Sequence, residues 1–172
     1  MKLHGGMSMN GTYYPAGTEV SWAFIYPFFL IHMLAFGLSG CFMAYGGYEM
    51  GLPTWTLYLH GGIAILVYLI FYLVIFGRDE VKWMFVNAAL GVLGIVSQID
   101  WILSLFGHRV SDYPPEIHVV PFLYIVLYTF LIRHAVLDIT GAREDSARQR
   151  RVEFGYVGAT VAVYLLAHFL EG

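Results

Sequence analysis

Residues 21–45 read SWAFIYPFFLIHMLAFGLSGCFMAY, a run of twenty-five positions without a formal charge. A helix rises about 1.5 Å per residue, so this stretch is long enough to cross a hydrocarbon layer about 30 Å thick. It is too long for the apolar core of a cleavable signal. We therefore predict a transmembrane helix here, and several later stretches of the chain repeat the pattern.

The composition indicates that much of the surface faces lipid. Of the 172 residues, 59% are hydrophobic and only 12% are charged, whereas soluble domains carry about 25% charged residues. A water-soluble domain of this length has no interior large enough for that much apolar surface. This excludes a nucleic-acid module, a soluble Rossmann or TIM-barrel enzyme and a disordered regulator. The single cysteine, Cys41, excludes an internal disulfide and a cysteine-rich metal site.

Apolar runs separated by Gly, Pro or charged turns predict a single transmembrane domain over residues 21–172. The predicted helices cover residues 21–45, 55–77, 83–106, 117–139 and 154–170. Runs longer than about twenty residues exclude barrel strands, which alternate over about ten. The predicted fold class is therefore all-α, a polytopic bundle of five transmembrane helices. Because the last run is at the lower limit for spanning, four helices plus a tilted or re-entrant fifth is the alternative.

The basic residues predict the orientation. With five spans, the N-terminus and the loops after the second and fourth helices share one side. That side holds all of the nine Lys and Arg residues except Arg109. Cationic loops stay cytoplasmic, so we expect a multi-pass protein of the cell inner membrane with a periplasmic C-terminus. Residues 1–20 lack the features of a cleavable signal. We predict that they form a cytoplasmic segment with little regular structure.

Ionisable residues at membrane depth mark a functional site by default. His60 and Asp100 lie about 8 and 9 Å in from the outer ends of their helices, and Gln98 is slightly deeper. His118 and His168 are near the same outer face, and His32 is near the midplane. The candidate cofactor-binding residues are His60, His168, His118, His32, Asp100 and Gln98. The sequence predicts no catalytic residue and leaves a metal site open.

Three chemistries fit this set of side chains. Imidazole binds haem iron or the magnesium of a chlorophyll-type pigment, and Gly61 and Gly62 leave room for a flat macrocycle beside His60. A histidine and an aspartate at one depth relay protons or hold a quinol hydroxyl. Two or three imidazoles with a carboxylate suit copper, zinc or iron. Haem b, a chlorophyll-type pigment and a quinone are accordingly the candidate cofactors.

Each of these residues also has a purely structural interpretation. His60 and Asp100 then form a buried hydrogen-bonded pair that ties the second helix to the third. His118 and His168 are solvated at the interface, and His32 is a hydrogen-bonded packing residue.

The third predicted helix carries a stripe of small and amide residues. Asn87, Gly91, Gly94 and Gln98 recur at spacings that place them on one face of a helix. Small residues let helices approach closely, and Asn and Gln bond across the gap. We expect this face to pack against another helix.

Two family resemblances accompany these patterns. The order of the second to fifth helices, with histidines near one membrane face, resembles the small cytochrome-b-type membrane subunits that anchor respiratory enzymes. The segment from His118 through the basic loop to VGATVAVYLL at 157–166 is similar to small membrane proteins of cytochrome-oxidase assembly. It departs from that second family at 81–83, where VKW stands in place of a histidine before Met84.

These observations give one main hypothesis and two alternatives. We expect an integral accessory or anchor subunit of a respiratory or photosynthetic electron-transfer complex, which helps bind haem, pigment or quinone near the outer leaflet. Its partners are the lipid bilayer and larger membrane protein subunits, not nucleic acid. The loops are short and carry no phosphate loop or GxSxG motif, so a stand-alone enzyme is disfavoured. The alternatives are an assembly or metal-handling factor for a terminal oxidase, and a small proton or ion conductor.

Overall fold

The chain folds mainly into helices, with 76% of it helical. The structure is a computed structural model that describes residues 1–9, 11–143 and 145–170. The chain divides into two compact units, Met1–Phe130 and Leu131–Gly172. The α-helices of the described residues are α1 (Trp22–Glu49), α2 (Thr54–Ile75), α3 (Arg78–Leu90), α4 (Val92–Ser104), α5 (Val119–Ile139) and α6 (Ser146–Leu170). Two 3₁₀ turns, Val110–Asp112 and Pro115–His118, connect α4 to α5.

Helices α1 and α2, and α5 together with the 3₁₀ turn before it, have the length and apolar character of membrane spans. They are Trp22–Glu49, Thr54–Ile75 and Pro115–Ile139, with mean hydropathies of 1.7, 2.1 and 1.8. Each agrees within a few residues with a predicted span, apart from the additional turn at the end of α1. Several long apolar helices of this kind suggest a membrane protein.

The third predicted span, residues 83–106, is broken. Helices α3 and α4 meet at Gly91 with a bend of 72°, and together they form a broken span or a re-entrant loop. Glycine disfavours a helix interior by about 1 kcal/mol relative to alanine, and Gly91 is followed by Gly94 on α4. The stripe predicted on one face of a continuous helix is thus divided between two helices.

The five-helix bundle is not confirmed. The described residues contain three candidate spans, or four if the bent pair counts as one. The fifth predicted run, 154–170, lies within α6, which begins earlier because Asp145 Oδ1 accepts hydrogen bonds from the amides of Ala147 and Arg148 at 2.9 and 3.2 Å. This capping adds polar turns before the apolar run. Many side chains in the second half of α6 lie outside the described residues.

The N-terminal segment is more ordered than the sequence predicts. Strands β1 (Met7–Met9) and β2 (Thr12–Tyr14) pair as an antiparallel hairpin. Before it, the amides of His4 and Gly5 donate to the carbonyl of Val74 at 2.8 and 2.9 Å, and Leu3 is buried. Two main-chain bonds therefore hold this segment against the C-terminal end of α2.

Glycines and one tyrosine hold α1, α2 and the first half of α5 together. The Tyr72 hydroxyl of α2 donates to the carbonyl of Leu127 at 2.8 Å and lies 2.9 Å from Met33 Sδ on α1. Gly40 receives the ring of Tyr124, since a Cβ at Gly40 would lie 2.7 Å from Cε2 of that ring. These contacts fix the rotation of the three helices and hence the side chains that face the spaces between them.

The second unit contains its own ion pairs. Arg133 pairs with Glu153, and Arg143 pairs with Asp138. Arg143 Nη2 also donates to His134 Nδ1 at 3.0 Å. Because guanidinium has no acceptor, His134 Nδ1 carries the lone pair. The arginine-rich segment before α6 is thus anchored to the last turns of α5.

Candidate functional site

A long groove runs along the surface between α1 and α2. We call it the α1–α2 groove; its volume is about 690 Å³. Most of its walls are aliphatic or aromatic, and both His32 and His60 lie on them. The aromatic residues of the walls are Phe28, Phe29, Phe36, Trp55, Tyr68 and Phe71. A groove of this volume falls in the range of small-molecule and cofactor sites, about 300–1,000 Å³.

His32 presents an acceptor nitrogen that has no partner among the described residues. Its Nδ1 lies 2.8 Å from the carbonyl oxygen of Phe28, one turn earlier on α1. A carbonyl oxygen only accepts, so Nδ1 carries the proton and Nε2 keeps its lone pair. The imidazole packs against the Phe28 ring with a centroid distance of 4.1 Å. The side chain itself is exposed on the face of α1.

His60 is held by Ser39 across the helix pair. Ser39 Oγ donates to the carbonyl of Phe36 at 2.9 Å and lies 3.2 Å from His60 Nε2. Because the hydroxyl proton goes to Phe36, Nε2 of His60 is the donor in the second bond, which leaves Nδ1 as an acceptor. Ser39 lies seven residues after His32 on α1, so the two imidazoles are separated by about 10 Å along the helix axis.

A second cavity lies between α1, α4 and the first half of α5. We call it the α4 cavity; its volume is about 270 Å³. Gln98 of α4 is on its wall and half-buried. Cys41, Tyr45 and Tyr124 also line it. Gln98 is therefore a cavity residue but does not share a site with His60.

Asp100 and His118 belong to a polar network in the loop between α4 and α5. Asp100 accepts hydrogen bonds from the Val110 amide at 2.8 Å and from Arg109 Nη1 at 3.1 Å. His118 Nε2 lies 3.1 Å from the Val110 carbonyl, so Nε2 carries the proton. Its Nδ1 then accepts from the Tyr45 hydroxyl at 3.1 Å. Both nitrogens of His118 have partners, and the network holds the loop in place.

Glu49 at the end of α1 joins the same loop. The Tyr113 hydroxyl donates to Glu49 Oε1 at 2.5 Å, and His108 Nε2 lies 3.5 Å from that oxygen. Burial, followed by the hydrogen bond and the charge of Glu49, raises the pKa of Tyr113 from 10.0 to about 12. The hydroxyl consequently remains protonated and bonded to Glu49 at all physiological pH values.

The six candidate residues therefore occupy different places. His32 and His60 share the α1–α2 groove, Gln98 lines the α4 cavity, and Asp100 and His118 are linked through Val110. The His168 side chain lies outside the described residues. His60 and Asp100 have different hydrogen-bond partners, Ser39 for the first and Arg109 and Val110 for the second. These contacts do not include the His60–Asp100 pair of the structural interpretation, and equal depth alone does not place two side chains on facing sides of their helices.

The sequence analysis does not single out Ser39, Tyr124 or Glu49. Ser39 is a hydroxyl one helical turn after Phe36 in an otherwise apolar run, which is a weak but usable signal for a contact between helices. Tyr124 is one of many tyrosines, and only the packing against Gly40 distinguishes it.

The described residues contain no group of three His, Cys, Asp or Glu side chains arranged to hold a metal ion. Comparison of the chain with protein-family models, with curated proteins and with solved structures finds no match.

Proposed function

We propose that the chain is an integral membrane subunit of an electron-transfer complex and that its α1–α2 groove binds a flat, lipophilic macrocycle with a central metal. The observation that carries this proposal is the exposed Nε2 lone pair of His32 on the wall of an aromatic groove. When bound, such a group supplies one-electron redox chemistry or light absorption.

The chemistry of His32 would suit a ligand to the central metal of such a group. Histidines that bind a metal commonly donate their other N–H to a carboxylate or a carbonyl, which fixes the ring and increases the basicity of the free nitrogen. The bond from His32 Nδ1 to the Phe28 carbonyl has this form. The groove is open at this residue, so a planar group can approach the imidazole from the lipid side.

The walls suit the body of a macrocycle. Phe36 and Tyr68 meet edge to face with centroids 6.2 Å apart, and Phe29 and Phe71 do so at 5.3 Å. Aromatic surfaces of this kind favour a flat π-system. His60 Nδ1, about 10 Å along the groove, is an acceptor for a polar substituent at the edge of the ring.

The membrane setting of this proposal follows from charge. If the bent α3–α4 pair is one span, Arg78, Lys82 and the arginines between α5 and α6 share one side of the membrane, and that side is cytoplasmic because cationic loops stay inside. The N-terminal end of α2, with Trp55 and His60, lies toward the outer leaflet of the inner membrane. The exposed apolar surface that remains contacts lipid and larger subunits of the complex.

The test is a visible spectrum of the protein purified in mild detergent from its own membranes, oxidised and then reduced with dithionite. We expect a Soret band with a reducible α band for haem, or far-red absorption for a chlorophyll-type pigment. His32→Ala should remove the band, and His60→Ala should shift it or lower its occupancy. His108→Ala, a loop histidine outside the groove, is the matched control and should leave the band unchanged. A wild-type protein without a chromophore, or an unchanged spectrum for His32→Ala, would refute the macrocycle proposal.

A reduced quinone, or quinol, is the second candidate for the same groove. The free nitrogens of His32 and His60 both accept hydrogen bonds, and a quinol offers hydroxyl donors whereas a quinone offers only acceptors. A colourless protein that binds added quinol, with affinity lost in both His32→Ala and His60→Ala, would favour this candidate over the macrocycle.

A further inference from the structure

Two exposed arginines lie near the start of α6. The side chains of Arg150 and Arg151 make no hydrogen bond or ion pair within the part of the chain that the structure describes. The next carboxylate along the helix, Glu153, is already paired with Arg133. The two guanidinium groups are therefore available to an anion from outside the chain.

An apolar stripe begins one turn after these charges. The residues of this α6 stripe are Phe154, Val157, Val161 and Leu165, which recur at spacings of three and four and so share one face of the helix. Their side chains are 78%, 57%, 51% and 47% exposed, so the protein itself leaves the stripe uncovered. Arg150 lies four residues before Phe154 and continues the same face. Exposed apolar surface of this kind marks a contact with lipid or with another protein.

Small residues border the stripe on the side of Arg151. The line that continues from Arg151 consists of Gly155, Gly158 and Ala162, at spacings of four, three and four residues. All three are exposed. A Cβ at Gly155 or Gly158 would meet no other part of the protein within 4 Å. A hydrocarbon chain can lie along this shallow track, beside the bulkier side chains of the stripe.

The spacing of the charges and the apolar surface matches one leaflet of a bilayer. Arg150 lies about 6 Å before Phe154 along the helix axis, and the stripe extends about 17 Å from Phe154 to Leu165. One leaflet of hydrocarbon is about 15 Å thick, half of the whole layer. A lipid whose headgroup contacts the arginines therefore has its acyl chains beside the stripe.

We infer that the start of α6 binds an anionic phospholipid, with the phosphate on Arg150 and Arg151 and the acyl chains along the α6 stripe. Guanidinium binds phosphate oxygens in pairs. Two adjacent cations favour a lipid whose phosphate charge is not balanced by an attached ammonium group. An apolar partner helix would cover the stripe but leave both charges unmatched. The inference goes beyond the proposed function, because the site shares no residue with the α1–α2 groove and requires no macrocycle.

The test measures binding of dioleoyl phosphatidylglycerol to the purified full chain in a non-ionic detergent, by native mass spectrometry, which resolves each bound lipid. Arg150→Gln and Arg151→Gln should each weaken binding about five-fold, the usual contribution of one cation near anionic lipid. Val157→Asn, which places an amide in the stripe, should also weaken binding.

Arg148→Gln is the matched control, since it makes the same change on the same helix. Arg148 lies two residues before Arg150 and hence on the opposite side of α6. Its Nη1 is directed toward the turn before the helix, 3.9 Å from the position of a Cβ at Gly141. This variant should bind the lipid as the wild type does. All three arginines are exposed and glutamine is nearly as good a helix former, so the unfolding temperature should not change.

Two further probes identify the source of the phosphate. Dioleoyl phosphatidylcholine has the same chains but no net charge, and it should bind at least about five-fold more weakly. Inorganic phosphate in millimolar excess should not displace the anionic lipid, because it has no apolar part to contact the stripe.

Three results would overturn the inference: equal affinity of the wild type for the two lipids, an equal loss of binding in Arg148→Gln and Arg150→Gln, or displacement of the lipid by inorganic phosphate. The second result would reduce the effect to general attraction by the net charge, and the third would assign the arginines to a soluble anion. His32→Ala should bind the lipid as the wild type does, so failure of the macrocycle proposal alone would leave this inference intact.

Discussion

Ser39 on α1 and His60 on α2 are joined by a hydrogen bond of 3.2 Å between Oγ and Nε2. The bond links the two helices that form the α1–α2 groove and sets the tautomer of His60, because the Ser39 proton is already given to the Phe36 carbonyl. The orientation of the His60 imidazole in the groove therefore depends on the Ser39 hydroxyl, which is not part of the apolar walls.

Removal of this hydroxyl should weaken the contact between α1 and α2. We expect Ser39→Ala to lower the free energy of unfolding by about 1 kcal/mol, the usual contribution of one neutral hydrogen bond. Ser97→Ala is the matched control, because Ser97 Oγ donates within its own helix, to the Leu93 carbonyl. A double-mutant cycle of Ser39→Ala with His60→Ala, measured by denaturant unfolding in detergent, isolates the coupling. Additive effects of the two substitutions would mean that the bond makes no contribution.

Gly61 and Gly62 are adjacent but should respond oppositely to alanine. A Cβ at Gly61 would overlap the Val120 side chain of α5, whereas a Cβ at Gly62 meets no atom within 4 Å. Gly61→Ala should therefore destabilise the fold by about 1–3 kcal/mol. Gly62→Ala should be neutral or stabilise it by up to about 1 kcal/mol, because alanine favours the helix. Thermal unfolding of both variants tests this, and Val120→Ala should partly rescue Gly61→Ala.

The Tyr113–Glu49 bond predicts a loss of stability in strong alkali. The pKa of Tyr113 is raised from 10.0 to about 12 in the folded protein. A raised pKa means that the folded state retains a proton that the unfolded chain releases, so the stabilisation is fully present below pH 10 and is lost between pH 10 and about 12. Unfolding measured across this window should show a steeper decline for the wild type than for Tyr113→Phe. Glu49→Gln, which keeps an acceptor but removes the charge, should reduce the difference. Parallel curves for the wild type and Tyr113→Phe would contradict the prediction.

Apolar length predicts spans but not bends. The helices α1, α2 and α5 follow from uninterrupted apolar runs, and their observed bounds lie close to the predicted ones. The run at 83–106 looks equally continuous on a hydropathy scale, yet the chain bends by 72° at Gly91. Hydropathy averages over a window and is insensitive to the helix propensity of a single glycine. Hydropathy also places the start of the last helix too late. It does not register the polar first turns of α6, which Asp145 caps.

Depth along the helix likewise predicts only part of a site. Counting residues from helix ends places His60 and Asp100 at nearly equal depth, but it carries no information about rotation around the helix axis. That rotation is set by contacts such as Gly40 with Tyr124 and Tyr72 with Leu127, which no single-sequence pattern reveals. His32 and His60 do face one groove, because the two helices that carry them are neighbours in sequence and in space.

Asp100 and Val110 provide a last test, directed at the loop between α4 and α5. The Asp100 carboxylate accepts a hydrogen bond from the Val110 amide at 2.8 Å. The carbonyl of the same residue accepts a hydrogen bond from His118 Nε2. A hydrogen bond to a charged group contributes about 1.5–3 kcal/mol. Asp100→Ala should therefore accelerate hydrogen exchange of the Val110 amide at least ten-fold, since about 1.4 kcal/mol corresponds to a factor of ten.

Two further variants separate the main-chain bond from the charge of Asp100. In Asp100→Asn the side-chain oxygen still accepts a hydrogen bond from the Val110 amide, but the ion pair with Arg109 is lost. Exchange should therefore accelerate less than in Asp100→Ala. Asp112→Ala removes the acceptor of the neighbouring Arg109 amide, which lies 2.7 Å from Asp112 Oδ2. Its effect should appear at Arg109 and not at Val110. Equal exchange rates at Val110 in Asp100→Ala and the wild type would show that the Asp100 carboxylate does not protect this amide.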